Sequence, residues 1–101
     1  MIHVILPTPL REFAQLQGDI ALDLDLAAAP LTPRRILDEL DRLHPRLQGT
    51  IRDPLTGNRR PYLRFYACNE DVSNDPLDAE LPAAIASGTE PFIVMGAVSG
   101  G

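Results

Sequence analysis

Thr32-Pro33-Arg34-Arg35-Ile36-Leu37-Asp38-Glu39-Leu40-Asp41-Arg42-Leu43-His44-Pro45 is the stretch on which the fold turns. Ile36, Leu37, Leu40, Leu43 and, beyond them, Leu47 recur near a 3.6-residue period. Arg34, Arg35, Asp38, Glu39, Asp41 and Arg42 fall mostly on the other side, which is the pattern of an amphipathic helix. Thr32 suits an N-cap, and Pro33 suits the first helical position, where a missing N–H costs nothing. The helix is expected to stop near His44-Pro45. A sheet formed by the rest of the chain therefore has one main helix to pack against.

Reading outward toward the N-terminus, residues 19–26 alternate without a break. Ile20, Leu22, Leu24 and Leu26 share one face, and Asp19, Ala21, Asp23 and Asp25 share the other, which predicts a strand wet on one side. Ile2 to Leu6 predicts another strand, ended by Pro7-Thr8-Pro9, whose prolines remove backbone donors. Residues 10–18 read as a loop or a short helical turn, with Gly18 permitting a change of direction. Toward the C-terminus, Asp53 to Pro61 reads as an exposed turn region, and Tyr62 to Cys68 as a third alternating strand. Residues 69–90 are acidic and turn-rich and predict a short strand or helical turn, with Leu77, Leu81, Ala84 and Ile85 anchored inward. Phe92-Ile93-Val94-Met95 is apolar at consecutive positions, which suits an inner strand of a mixed sheet.

Strand, strand, helix, strand, strand is the order of an α+β β-grasp fold, a mixed sheet wrapped around one main helix. The expected organisation is one domain over residues 1–95 and a flexible diglycine tail over 96–101. One helix covers one face of a sheet. Apolar residues on the other face of the first and last strands are expected to lie open, and such a patch usually marks a partner.

Composition narrows the function. The chain has 101 residues, 45% hydrophobic and 23% charged, enough for a single core. One cysteine and two histidines exclude an internal disulfide and a His/Cys metal cluster and suit a reducing compartment, so a cytoplasmic protein is expected. A net charge of −5 argues against nucleic acid as the main partner. The apolar runs fall far short of the roughly 20 residues that cross a bilayer, so no membrane association is expected. All nine basic residues are Arg, which leaves no side-chain amine for a Schiff base or an isopeptide bond. Residues 1–64 carry nine Arg against eight acids, whereas residues 65–101 carry six acids and no base, a surface that could be steered toward a basic docking site.

The chain ends Gly96-Ala97-Val98-Ser99-Gly100-Gly101, with no charged residue after Glu90. Six residues beyond Met95 reach up to ~20 Å when extended, enough to enter another protein's active site. A terminal carboxylate that threads a channel to a nucleotide phosphate needs residues without Cβ around it, and glycine gives the closest backbone approach.

Several stretches together carry a family resemblance. Val4-Ile5-Leu6-Pro7-Thr8-Pro9-Leu10-Arg11, the helix ending Leu43-His44-Pro45, the Tyr62 to Tyr66 strand leading into Asn69-Glu70-Asp71-Val72, and the closing Gly100-Gly101 resemble the MoaD/ThiS family of ubiquitin-like sulfur carriers over nearly the full chain. The resemblance is strongest to longer members, which include carriers for cysteine and molybdopterin biosynthesis. Gly88-Thr89-Glu90 departs from the family's usual Gly-Asp turn, and the stretch near Gly96-Ala97 lacks a common proline.

The resemblance implies that an E1-like adenylyltransferase of the MoeB/ThiF type uses ATP and magnesium to adenylate the Gly101 carboxylate. A persulfide-bearing sulfur donor would then convert it to a thiocarboxylate. A synthase such as the molybdopterin synthase large subunit would accept the sulfur for molybdopterin, cysteine, thiamin or a related metabolite. Gly101 is then the reacting residue and Val98, Ser99 and Gly100 its tail. Phe92, Val94 and Met95 are expected to supply a docking surface. The chain itself would bind no cofactor or metal and would be a protein co-substrate rather than an enzyme; it shows no phosphate loop and no nucleophile–base pair. The alternative is an interaction subunit whose tail inserts into a partner enzyme without being thiocarboxylated.

The remaining polar residues have structural readings. Cys68 is expected to be a strand thiol with no evident base, His44 a helix cap, His3 a strand surface residue, Asn69-Glu70-Asp71 the shaper of a turn, and Arg59-Arg60 a solvated turn.

Overall fold

The last strand organises the sheet. In a computed structural model, which describes residues 1–96, five strands lie in the order β2-β1-β5-β3-β4. They are β1 (Ile2–Ile5), β2 (Ile20–Leu22), β3 (Leu63–Ala67), β4 (Glu70–Asp71) and β5 (Phe92–Gly96). Apolar residues at successive positions of β5 fit it for the centre, where it pairs parallel to β1 and antiparallel to β3. The outer pairs, β1 with β2 and β3 with β4, are antiparallel. This is the expected β-grasp arrangement, with the main helix α2 (Pro33–Leu43) as its principal cover.

α2 forms as its periodicity requires. Thr32 is extended, and its hydroxyl oxygen accepts the Arg35 amide at 3.2 Å. Such a cap is worth about 1 kcal/mol. Pro33, Ile36, Leu37 and Leu40 are buried, whereas Leu43 is exposed because the helix stops there. Leu47 continues the hydrophobic rhythm from a separate 3-10 turn, Pro45–Leu47, and is fully buried. Ile36, Leu37 and Leu40 share one core with Val4 and Leu22 of the sheet and with Phe65 and Phe92, whose ring centroids are 5.3 Å apart.

Three elements differ from their expected limits. β2 ends at Leu22 rather than Leu26, at the residue that pairs with Ile2, the first of β1. Leu24 and Leu26 still pack partly buried against the core, so the alternation persists without the ladder. Residues Thr8–Phe13 form a short helix, α1. Its Pro9 stands in the first turn, so the prolines that end β1 also begin a helix. Cys68 lies outside the strand: Cys68 and Asn69 have φ of 51° and 66°, the positive pair that a two-residue hairpin turn requires between Ala67 and Glu70.

The acidic segment contains β4 and a four-residue helix, α3 (Ala83–Ala86). Leu81 and Ile85 are buried, and Leu77 packs partly buried against the core. Two hydrogen bonds, Arg34 N to Leu77 O at 3.0 Å and Leu81 N to Leu31 O at 2.9 Å, fasten this segment over the start of α2.

Arg59 and Arg60 are not a solvated turn. Arg59 donates to the carbonyls of Leu63 at 2.6 Å and Ser73 at 3.1 Å, and Arg60 donates to the Gly49 carbonyl at 2.7 Å. An irregular segment leaves carbonyls without ladder partners, and a guanidinium carries five donors to satisfy them.

Candidate functional site

Strand alternation splits β5 between two surroundings. Phe92 and Val94 point inward and are 0% and 1% exposed. The expected docking role of Phe92 and Val94 is therefore corrected: both are core residues, and neither can touch a partner without unfolding the sheet. Ile93 and Met95 occupy the opposite face, and Met95 is 47% exposed.

The pairing registers assemble that face from neighbouring strands. Ile5 of β1 lies beside Ile93, Tyr66 of β3 lies beside Ile93 on its other side, and Arg64 lies opposite Met95. Tyr62, expected within the strand, lies instead in the turn ahead of β3 that the Leu63 amide closes onto the Arg60 carbonyl at 3.0 Å, and is 55% exposed. The result is an apolar band of Ile5, Ile93, Tyr66 and Met95. Sequence alternation marked Tyr62 and Tyr66 as sharing a face, but pairing partners come from long-range contacts that a one-dimensional pattern does not contain.

A polar clamp borders the band. Arg64 donates Nη2 and Nε to Asp71 Oδ2 at 2.7 and 3.0 Å, and Asp71 Oδ1 accepts the Ser73 amide at 2.9 Å. The Ser73 hydroxyl first, then its amide, then the Arg64 guanidinium hold the Asp71 carboxyl down at about 2. The buried Ser73 hydroxyl also accepts the Phe65 amide at 2.8 Å, so the clamp is tied into β3. Asn69-Glu70-Asp71 thus shapes the turn as expected. Of the six acids in the C-terminal third, Asp71 and Asp78 are paired, with Arg64 and Arg34 respectively.

The topology gives this face a direction. β1 and β5 run parallel, so α1, which follows β1, begins at the sheet end where β5 reaches Gly96. Gly96 pairs with Leu63, so the loop ahead of β3, with Tyr62, meets the same end. The exposed Phe13 of α1 adds apolar surface to that end of the molecule. Val98, Ser99, Gly100 and Gly101 lie outside the described residues.

Other candidate chemistry resolves into structure. Cys68 is a half-buried free thiol on the hairpin turn. His44 caps α2 through its backbone, donating its amide to Leu40 O at 2.8 Å. His3 lies on β1 opposite Ala21, partly exposed. Among the described residues, no group of three or more His, Cys, Asp or Glu side chains could hold a metal ion, and no helix is long and apolar enough to cross a membrane.

No family model matches the sequence, and no curated protein matches it. Solved structures do. The fold is similar to that of SAMP1 from Haloferax volcanii, with a TM-score of 0.71 and 22% identity, over 98% of this chain and 97% of that one. It is similar also to a chain of the Amycolatopsis orientalis BexX/CysO complex, with a TM-score of 0.75 and 20% identity, over 100% of both chains. These matches show the β-grasp, ubiquitin-like fold over the full length.

Proposed function

We propose that this chain is a ubiquitin-like sulfur carrier whose reactive group is the Gly101 carboxylate. The observation that carries the reading is the central strand. β5 lays Met95 and Ile93 on an open apolar face and ends at Gly96, five residues before a sequence that closes on Gly100-Gly101. Likeness of fold to SAMP1 and to a chain crystallised within a two-protein complex supports it.

The chemistry follows from the weakness of a carboxylate as an electrophile. An E1-like adenylyltransferase docks on the apolar face, and the Gly101 carboxylate oxygen attacks the α-phosphate of magnesium-bound ATP, releasing pyrophosphate. A persulfide sulfur then attacks the acyl carbon and AMP leaves. Thiolysis of the resulting acyl disulfide gives the thiocarboxylate, a soft anionic nucleophile that passes sulfur to an acceptor held by a synthase. Catalysis belongs to those partners. This chain supplies the docking face and the reacting end.

The test is the intact mass of the chain after incubation with ATP, an adenylating partner and a persulfide donor. Replacement of one oxygen by sulfur at the terminus is expected. Adenylation without sulfur incorporation would instead favour an interaction subunit whose tail completes a partner's site.

A further inference from the structure

We infer that an apolar groove at the edge of the sheet, between β4 and the start of α2, docks a basic segment of a partner protein by taking in one of its cationic side chains. The inference goes beyond the proposed function and does not depend on activation at Gly101.

The groove is lined by Pro33 and Leu81, both buried, by Val72 and Ala79, both half-buried, and by the exposed Pro76 and Pro82. Its volume is about 170 Å³. That is far above the roughly 10–15 Å³ that admits a single water, so it has room for a side chain. Its shape is held before anything binds. The Val72 amide donates to the Phe65 carbonyl at 2.8 Å, the Asp75 amide to Val72 at 3.1 Å, the Ala79 amide to Pro76 at 3.0 Å and the Leu81 amide to Leu31 at 2.9 Å. Three prolines fix φ along its walls, so docking orders little backbone.

Charge selects the occupant. Glu70, Asp75, Glu80 and Glu90 are the acids of the C-terminal third that make no ion pair among the described residues, and the first three line this groove. The neighbouring bases are already engaged: Arg34, next to Pro33, pairs with Asp78 at 2.7 Å, and Arg64 pairs with Asp71 at 2.7 Å. No base follows Arg64 in the sequence. A second concavity, lined by Asp41, Gln48 and Pro54 near the end of α2, shows the contrast. Arg52 lines it too and pairs with both Asp38 and Asp41 at 2.8 Å, so that concavity is neutralised from within. The groove beside β4 is not.

The spacing of the carboxylates points to an extended cation. Among the described residues, no three His, Cys, Asp or Glu side chains stand close enough to share a metal ion. An arginine or lysine side chain combines an apolar stem with a charged head, which matches an apolar lining edged by separated carboxylates. Complementary charge also steers the encounter.

The groove is distinct from the apolar band. Glu70 pairs with Ala67, which pairs with Phe92 where β5 begins, whereas Gly96 pairs with Leu63 at the other end of β3, about 13 Å away. Pro33 belongs to α2, which covers the face opposite Ile93 and Met95. A basic segment in the groove therefore leaves that outer face open.

The test is a titration of the ¹⁵N-labelled chain with an N-acetylated, C-amidated peptide of sequence Ala-Arg-Leu-Arg-Ala, and with a twin in which citrulline replaces both arginines and so removes charge at nearly constant shape. Saturable amide shifts centred on Val72, Ala79 and Leu81 are expected, with the citrulline peptide binding about fivefold more weakly, as a few exposed ion pairs allow. Combining Glu70→Gln, Asp75→Asn and Glu80→Gln should weaken the arginine peptide by a similar factor with the melting temperature unmoved. Ala79→Leu, which fills the groove without changing charge, should weaken it as well. The equally charged control of Asp19→Asn, Asp23→Asn and Glu90→Gln should bind as the parent does, and so should Met95→Glu. Shifts scattered over all the acids, equal binding of the citrulline peptide, or an equal loss in the control would overturn the inference. Failure of an enzyme to adenylate the chain would strike the proposed function and leave these results unaffected.

Discussion

The two faces of β5 are drawn from one apolar run and meet opposite surroundings. Phe92 and Val94 enter a core shared with Phe65, Leu37 and Leu40, while Ile93 and Met95 look outward, Ile93 between Ile5 and Tyr66. Hydrophobicity alone therefore does not say which residues hold the fold and which are left on the open face. Parity along the strand does, once the position of the helix is known. The inner face should answer to stability measurements and the outer face to association measurements.

The largest effect is expected from Phe92→Ala, which empties the centre of the core and should cost about 3–5 kcal/mol in urea unfolding with an unchanged m-value. A loss no larger than that of a surface substitution would erase the distinction between the faces.

Gly88→Ala comes next. Gly88 has φ +82° in the turn that launches β5, and an added Cβ would collide with the Met1 backbone carbonyl, leaving no flexible side chain to yield. A cost of about 1–3 kcal/mol is expected, with the thermal midpoint as readout. It would show that both faces depend on how the strand is started.

A smaller, pH-limited effect belongs to the polar rim. Asp71 titrates at about 2 in the folded chain against an ordinary 3.8, so the fold favours its charged form. That contribution is full above about pH 4 and fades as pH falls toward 2. Asp71→Asn should flatten the stability profile in that window and leave the slope at neutral pH unchanged; identical acid limbs for the two proteins would refute the clamp.

Met95→Glu should change stability least, by under about 0.5 kcal/mol, because the side chain already meets water. Its effect should appear in titrations with an adenylating partner, as weakening of at least tenfold. Unchanged affinity would remove Met95 from the docking face.

Local patterns carried most of this architecture. Thr32-Pro33 and the spacing of Ile36, Leu37 and Leu40 announce α2, and the unrelieved apolar run of Phe92 to Met95 announces a central strand, because capping and periodicity act over a few residues. Long-range pairing is absent from such patterns. The early end of β2 depends on its register against β1, in which Leu22 meets Ile2, and the roles of Arg59 and Arg60 depend on carbonyls supplied by Leu63, Ser73 and Gly49. Cys68 misled because Asn69 tolerates left-handed backbone, as asparagine often does in turns, whereas nothing in a cysteine marks it for the same conformation. For the candidate face, the apolar run that contains Met95 was legible; the inward turn of Phe92 and Val94 and the position of Tyr66 beside Ile93 required the sheet order.

Isotope exchange between pyrophosphate and ATP, catalysed by an adenylating partner in the presence of this chain, tests the reacting end most directly. The intact chain should support exchange, while deletion of Gly101, or addition of one alanine beyond it, should abolish exchange with the melting temperature unmoved. Exchange that persists in the deleted or extended chain would contradict the assignment of chemistry to the Gly101 carboxylate.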